Sequence, residues 1–172
     1  MQAVLTIMGW NLVAVLAMMV TGWLISLAYR NVTIVDSLWG LGFVIIAWQT
    51  FFMSDGYGGR KMLIALLVTL WGLRLSLYLA WRNWGKGEDP RYGTWRIKSG
   101  ERFWLVSLFK VFILQALFLW VTSLALQIGQ LAETPSSFTW LDASGIIVWA
   151  IGFTFESLGD LQLARFKSDP AN

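Results

Sequence analysis

Five long apolar stretches run through this chain, and they leave it little else to fold into. Each is near or above the roughly 20 residues a helix needs to cross a bilayer, at about 3–29, 33–53, 61–82, 103–131 and 143–167. Hydrocarbon offers a free backbone no hydrogen-bond partner, so stretches of this kind read as helices. Of the 172 residues, 57% are hydrophobic and 13% charged, where a soluble domain carries roughly a quarter charged. The expected fold is all-α: one polytopic transmembrane helical domain spanning 1–172, with the lipid bilayer as its solvent. Trp10, Trp23, Trp81, Trp84, Trp104 and Trp140 fall near segment ends, where interfacial aromatic belts form. No Lys or Arg precedes the first span, which is too long for a signal h-region, so it is expected to remain in place.

Lys and Arg in the connections set the orientation. One side holds Arg30, Arg82, Lys86, Arg91, Arg96, Lys98, Arg102, Arg165 and Lys167, and the other only Arg60 and Lys61. The positive-inside rule puts the first group in the cytoplasm, the N-terminus outside and the C-terminus inside. A location integral to the membrane, with any cavity at the basic end facing the cytoplasm, is expected.

Several chemistries are closed to this composition. There is no Cys, hence no thiolate nucleophile and no Cys-ligated metal, and no His, the commonest general base and transition-metal ligand. No metal site is expected. The net charge of +3 reflects the loop bias, so no nucleic-acid surface is expected either. No Walker loop, GxGxxG or nucleophile–base pair is present.

Function therefore rests on the few charges inside the spans: Asp36, Arg74, Lys110, Glu156 and Asp160. A charge in hydrocarbon costs several kcal/mol unless paired or wetted, so such groups mark a site by default. Arg74 lies roughly 12 Å from the inner end of its span at helical rise, and Lys110 at a similar depth. Asp36 stands about one turn into span two, and Glu156 and Asp160 occupy the inner half of span five. All five share one half of the bilayer, which predicts a single polar cavity open to the cytoplasm.

Trp71, Arg74, Tyr78 and Arg82 recur on one helical stripe. Two guanidiniums flanking a phenol suit a phosphate or carboxylate, with the phenol as proton donor; equally, Arg82 serves as a positive-inside anchor and Tyr78 as an interfacial aromatic. In span five, Glu156, Asp160 and Lys167 share a stripe with Gln162 and Arg165 beside it. A stripe grading from acid to base suits the ribose hydroxyls and phosphates of a polar cofactor, while Asp160 could instead pair with Arg74 or Lys110. Asp36, near the small pair Gly40 and Gly42 that lets helices approach closely, reads as a catalytic acid or as Arg74's partner. Between spans three and four, Pro90 is expected to stiffen Glu88-Asp89-Pro90-Arg91-Tyr92 into a turn of a folded loop.

Val35-Asp36-Ser-Leu-Trp39-Gly40, Arg74 to Arg82 with Glu88-Asp89-Pro90-Arg91-Tyr92, and Phe155-Glu156 to Lys167 together resemble the bacterial branch of the steroid 5-alpha-reductase-like membrane proteins. The resemblance covers the chain from about Asn31 onward. It implies an NADPH-dependent reductase of an activated carbon–carbon double bond in a lipid-like enone, with the cofactor in a cytoplasm-facing cavity. It implies that Glu156 and Asp160 make polar contacts to the nucleotide, that Lys167 lies near its phosphates, and that Arg74 is the third-span family arginine. With Arg82 and Arg165 these make the expected cofactor set.

Steroid-reducing members grip the substrate carbonyl with a Gln-Glu pair on span two and a tyrosine on span three. Here Asp36 is the only span-two acid and Trp71 stands in the tyrosine's place, so the expected catalytic residues are Asp36 and Tyr78. The family continues with a Gly-x-Trp…Arg-His-Pro-Asn-Tyr cofactor motif, whereas this chain stops at Asn172 without a His. It is accordingly expected to lack the final spans and to be weakly active or inactive by itself. Two other readings stand beside this one: a membrane methyltransferase of the isoprenylcysteine type using S-adenosylmethionine, and a non-enzymatic transporter or lipid-binding protein. Against transport, the charges sit off the midplane and no internal repeat appears.

Overall fold

The computed structural model describes residues 2–169, and they are all-helical, with no strand among them. The helices are α1 (Gln2–Tyr29), α2 (Ile34–Met53), α3 (Gly58–Asn83), α4 (Pro90–Ser99), α5 (Phe103–Ser107), α6 (Leu114–Thr122), α7 (Leu124–Leu131) and α8 (Trp140–Ser168). Five stretches are long and apolar enough to cross a membrane: α1, α2, α3, the run Pro90–Leu131, and α8. The chain divides into two compact units, Met1–Glu133 and Thr134–Asn172.

In the first unit the core is built from Val15 and Met19 of α1, Val35 and Ile46 of α2, and Val111, Phe112, Ala116 and Leu119 of the fourth stretch, all fully buried. Lipid tails are as apolar as these side chains, so close packing and polar ties hold such helices together. The tightest approach joins α2 to α3. A Cβ at Gly40 would stand 2.1 Å from the Gly72 carbonyl oxygen, and one at Gly72 would stand 2.6 Å from that of Gly40. Gly42 serves differently, leaving room for the Leu119 side chain, 2.5 Å from its would-be Cβ.

A fully buried polar knot ties the end of the unit away from Asp36. Asn11 Nδ2 donates to Thr50 Oγ1 and to Gln127 Oε1, each at 2.8 Å, and Gln127 Nε2 donates to Ser123 Oγ at 2.8 Å. Gln130 Nε2 donates to the carbonyls of Ala47 and Lys61, both at 3.1 Å. Such bonds between membrane helices stabilise by about 1 kcal/mol each. Charge patterning drew the sequence reading to the other half of the bundle, and these neutral amides carried no comparable signal.

The fourth stretch is not one smooth helix. Gly100 at φ +53° breaks α4 from α5, and a π-helical segment, Leu108–Ile113, separates α5 from α6. The expected Pro-stiffened turn is in fact the start of α4. Asp89 caps it, its Oδ1 accepting from the Arg91 N–H at 2.9 Å, and Pro90 takes the first helical position, where its missing N–H costs nothing.

In the second unit, α8 begins with a reciprocal cap: the Thr139 N–H donates to Asp142 Oδ2 at 2.7 Å while the Thr139 side chain accepts from the Asp142 N–H. Trp149 and Phe153 stack along it at 4.9 Å.

Candidate functional site

The turn between α1 and α2 is laced to the connection between α3 and α4, and that lacing fixes where Asp36 stands. Arg30 ends α1 in the left-handed region at φ +49°, and the next residues are taken up by the later connection. Asn31 Nδ2 donates to the Gly87 carbonyl at 3.1 Å, the Val32 N–H to Glu88 Oε1 at 3.0 Å, and the Asp89 N–H to Thr33 Oγ1 at 2.8 Å. Glu88 is the hinge pin, for its carboxylate also accepts from Arg96 Nε at 2.8 Å and Nη2 at 2.7 Å. Burial pushes the Glu88 carboxyl up. The paired Arg96 bonds, the Val32 N–H and the Arg96 charge outweigh it and hold the group below its ordinary value. Asp89 is likewise held low, chiefly by its hydrogen bond from the Arg91 side chain.

With α4 seated against this turn, Tyr92 is buried and reaches Asp36, in the first turn of α2. The Tyr92 hydroxyl donates to Asp36 Oδ1 at 3.2 Å and accepts from Gln115 Nε2 at 3.4 Å. Gln115 Oε1 accepts in turn from the Trp39 indole N–H. Arg91 Nη2 stands 3.8 Å from Asp36 Oδ2, while its Nε and Nη2 each bond Asp89 at 3.0 Å. A chain of donors and acceptors thus runs Trp39, Gln115, Tyr92, Asp36, and Asp36 is the one anion in it.

This network divides two cavities. One, about 400 Å³, is lined by Trp39, Phe43, Trp71, Leu75, Leu79 and Thr122, with Asp36, Arg82 and Arg91 as its charged members. The other, about 480 Å³, is lined by Arg91, Tyr92, Thr94, Trp95, Lys110 and Gln115. The expectation of a single cavity is therefore revised: Asp36 and Arg82 line the first, Lys110 lines the second, and only Arg91 belongs to both. Depth along a span gives a residue's height but not its direction around the bundle, and the π-helical segment that carries Lys110 alters its rotation further.

The α3 stripe forms as its spacing requires. The Arg74 guanidinium lies 5.7 Å and that of Arg82 5.8 Å from the Tyr78 ring centroid, so the phenol is flanked by two cations. Arg82 and Trp71 also line the first cavity, whereas Arg74 and Tyr78 are not among its lining residues. Glu156, Asp160, Arg165 and Lys167 all lie on α8, in the second unit. On that helix Glu156, Asp160 and Lys167 stand at i, i+4 and i+11, a single stripe.

Sequence reasoning passed over Tyr92 and Gln115, the two residues that hold Asp36 in its network, and over Arg91. The signal that could have found them is Asp89-Pro90, a cap followed by a helix-initiating proline. Read as a helix start, it turns the residues after it into one more face to be packed.

A bundle of membrane-length apolar helices with a charged site at its basic end defines an integral membrane protein. The chain belongs to the family described as "Protein of unknown function (DUF1295)", whose model matches residues 22–172, a family associated with steroid 5-alpha-reductase-like proteins. No curated protein and no solved structure matches it.

Proposed function

We propose that this chain acts as an NADPH-dependent membrane reductase on the polarised carbon–carbon double bond of a lipid-like enone. The observation that carries the reading is the wall of the smaller cavity: one carboxyl, Asp36, bonded to a phenol and set among Trp39, Phe43, Trp71, Leu75 and Leu79. The rings and leucines suit the apolar body of a lipid, and the charged members sit where a carbonyl end would need polar company.

The residues fit a dinucleotide by their donor chemistry. Arg82 brings a guanidinium to the lining of that cavity, and planar forks of this kind bind phosphate oxygens in pairs, whereas Arg91 already spends its Nε and Nη2 on Asp89. On α3, Arg74 joins Arg82 in flanking Tyr78; α8, taken by itself, offers the acid-to-base stripe Glu156, Asp160 and Lys167, with Arg165 beside it, to ribose hydroxyls and phosphates. When bound, NADPH supplies the hydride that reduces the β-carbon. The chain's own residues manage charge and protons. Asp36 takes up a proton from water between turnovers and, held at Oδ1 by the Tyr92 hydroxyl, gives it to the oxygen or α-carbon where negative charge develops. Gln115 and Trp39 fix the orientation of that pair, and the apolar wall keeps water from the double bond. This assigns the proton-donating role expected of Tyr78 to Asp36, with Tyr92 as the residue that positions it, and leaves Tyr78 as a platform between two arginines.

Ligand binding tests the reading. The full chain, purified in detergent, is titrated with NADPH, NADP and S-adenosylmethionine while thermal unfolding is followed. Stabilisation by the nicotinamide nucleotides supports it. Stabilisation by the methyl donor alone sinks it in favour of a methyltransferase.

A further inference from the structure

We propose that the larger cavity is a binding site for a phosphodiester, the headgroup of an anionic phospholipid of the surrounding bilayer. The starting observation is Lys110. It lies within a membrane-length apolar stretch, it is exposed, and no carboxylate or hydrogen-bond acceptor meets its ammonium among the described residues. An ammonium at that depth is costly unless something anionic or aqueous meets it.

The cavity it lines supplies the rest of a headgroup site. Arg91 offers Nη1, for its Nε and Nη2 are occupied by Asp89. Trp95 offers an indole N–H that has no acceptor among the described residues, and no acid lines the cavity. The charge count selects the ligand. Asp89 compensates Arg91, so the lining of the cavity presents one uncompensated positive charge, that of Lys110. That matches a phosphodiester, with its single negative charge, better than a terminal phosphate, which carries nearly two.

The surroundings suit the remainder of a lipid. Beyond Lys110 the same stretch exposes Leu114, Leu117, Phe118 and Val121, apolar cover along which acyl chains can lie. On the other side of Lys110 stands Trp104, exposed, its ring 6.3 Å from that of Trp23, the kind of aromatic that anchors at headgroup level. The π-helical turn Leu108–Ile113 is the local device. Such turns are rare and recur at functional sites, because the extra residue re-aims the side chains they carry.

The test is thermal unfolding of the full chain in nanodiscs of phosphatidylcholine, with and without phosphatidylglycerol. Three proteins are compared: the parent, Lys110→Gln, and Lys98→Gln as a control for diffuse basic attraction, since Lys98 is exposed on α4 and lines neither cavity. Phosphatidylglycerol is expected to raise the midpoint of the parent and of Lys98→Gln, and to leave Lys110→Gln where phosphatidylcholine puts it. Lys110→Arg is expected to restore the rise. Inorganic phosphate added to pure phosphatidylcholine discs is expected to give no comparable rise; if it reproduces the whole effect, the lipid assignment falls. Equal loss of the rise in both glutamine variants, or its full retention in Lys110→Gln, overturns the site. Among the described residues the Lys110 ammonium has no polar partner, so its substitution is expected to fold, and unfolding in phosphatidylcholine alone reads that directly.

Discussion

The hydroxyl of Tyr92 donates to the carboxylate of Asp36 across 3.2 Å, joining residues 56 positions apart in the sequence. Nothing local brings them together. The Glu88 clamp on the α1–α2 turn and the Asp89 cap of α4 do so, and the bond they create sets the one acid of the smaller cavity. Replacing Asp36 by Asn keeps the shape and removes the proton. The expected loss of reductase turnover is about 10²–10⁴-fold. Tyr92→Phe removes one hydrogen bond to a charged group and is expected to cost roughly 10–100-fold. Steady-state NADPH consumption with a lipid enone, on protein shown folded by circular dichroism, measures both.

Glu88 makes stability depend on acid pH. Its carboxyl is held below the ordinary 4.5, so the unfolded chain takes up the proton first as pH falls. The contribution is therefore whole above about pH 4.5 and is lost as pH drops through the folded value. Glu88→Gln is expected to be less stable than the parent by about 2 kcal/mol at neutral pH, with the gap closing toward acid. Asp89 titrates alongside in both proteins and cancels in the comparison. Thermal melts from neutral to acid pH check this, and a gap independent of pH contradicts it.

The Gly40–Gly72 crossing admits no side chain. Gly40→Ala sets a methyl 2.1 Å from a backbone oxygen, and prising the two helices apart is expected to destabilise by about 1–3 kcal/mol. Gly9, in the middle of α1, has nothing within 4 Å of its would-be Cβ. Gly9→Ala is expected to be neutral or to stabilise by up to about 1 kcal/mol through backbone entropy. Unfolding in detergent of the two single variants distinguishes packing from propensity.

On α8, Asp160→Ala and Lys167→Ala are each expected to weaken NADPH binding about tenfold, the loss of one charge-assisted hydrogen bond, with folding intact. Calorimetric titration reads this, and unchanged affinity in both variants counts against a nucleotide-binding role for α8.

Five apolar stretches of membrane-crossing length were legible in the sequence because hydrocarbon tolerates only long apolar helices, and the close approach at Gly40 was legible because a bare backbone is the only way to achieve it. The α3 stripe followed from helical spacing alone, which is why Arg74, Tyr78 and Arg82 meet as expected. The rest was hidden for definite reasons. Asp89-Pro90 starts a helix, but among charged neighbours it looks like a turn. Tyr92 and Gln115 reach Asp36 through contacts that no periodicity encodes. Lys110 was read into one cavity with Asp36 yet lines a different one, because depth is read along a helix and direction is not.

The most direct test follows a labelled hydride. The full chain, in nanodiscs, is incubated with NADPH deuterated at the transferring position and with enones of steroid, isoprenoid and fatty-acyl body, and the lipids are analysed by mass spectrometry. Deuterium at the β-carbon of at least one probe, formed by the parent and lost in Asp36→Asn, is the predicted result. Deuterium transfer that persists undiminished in Asp36→Asn, or a methyl group acquired from S-adenosylmethionine with no transfer from NADPH, contradicts the assignment.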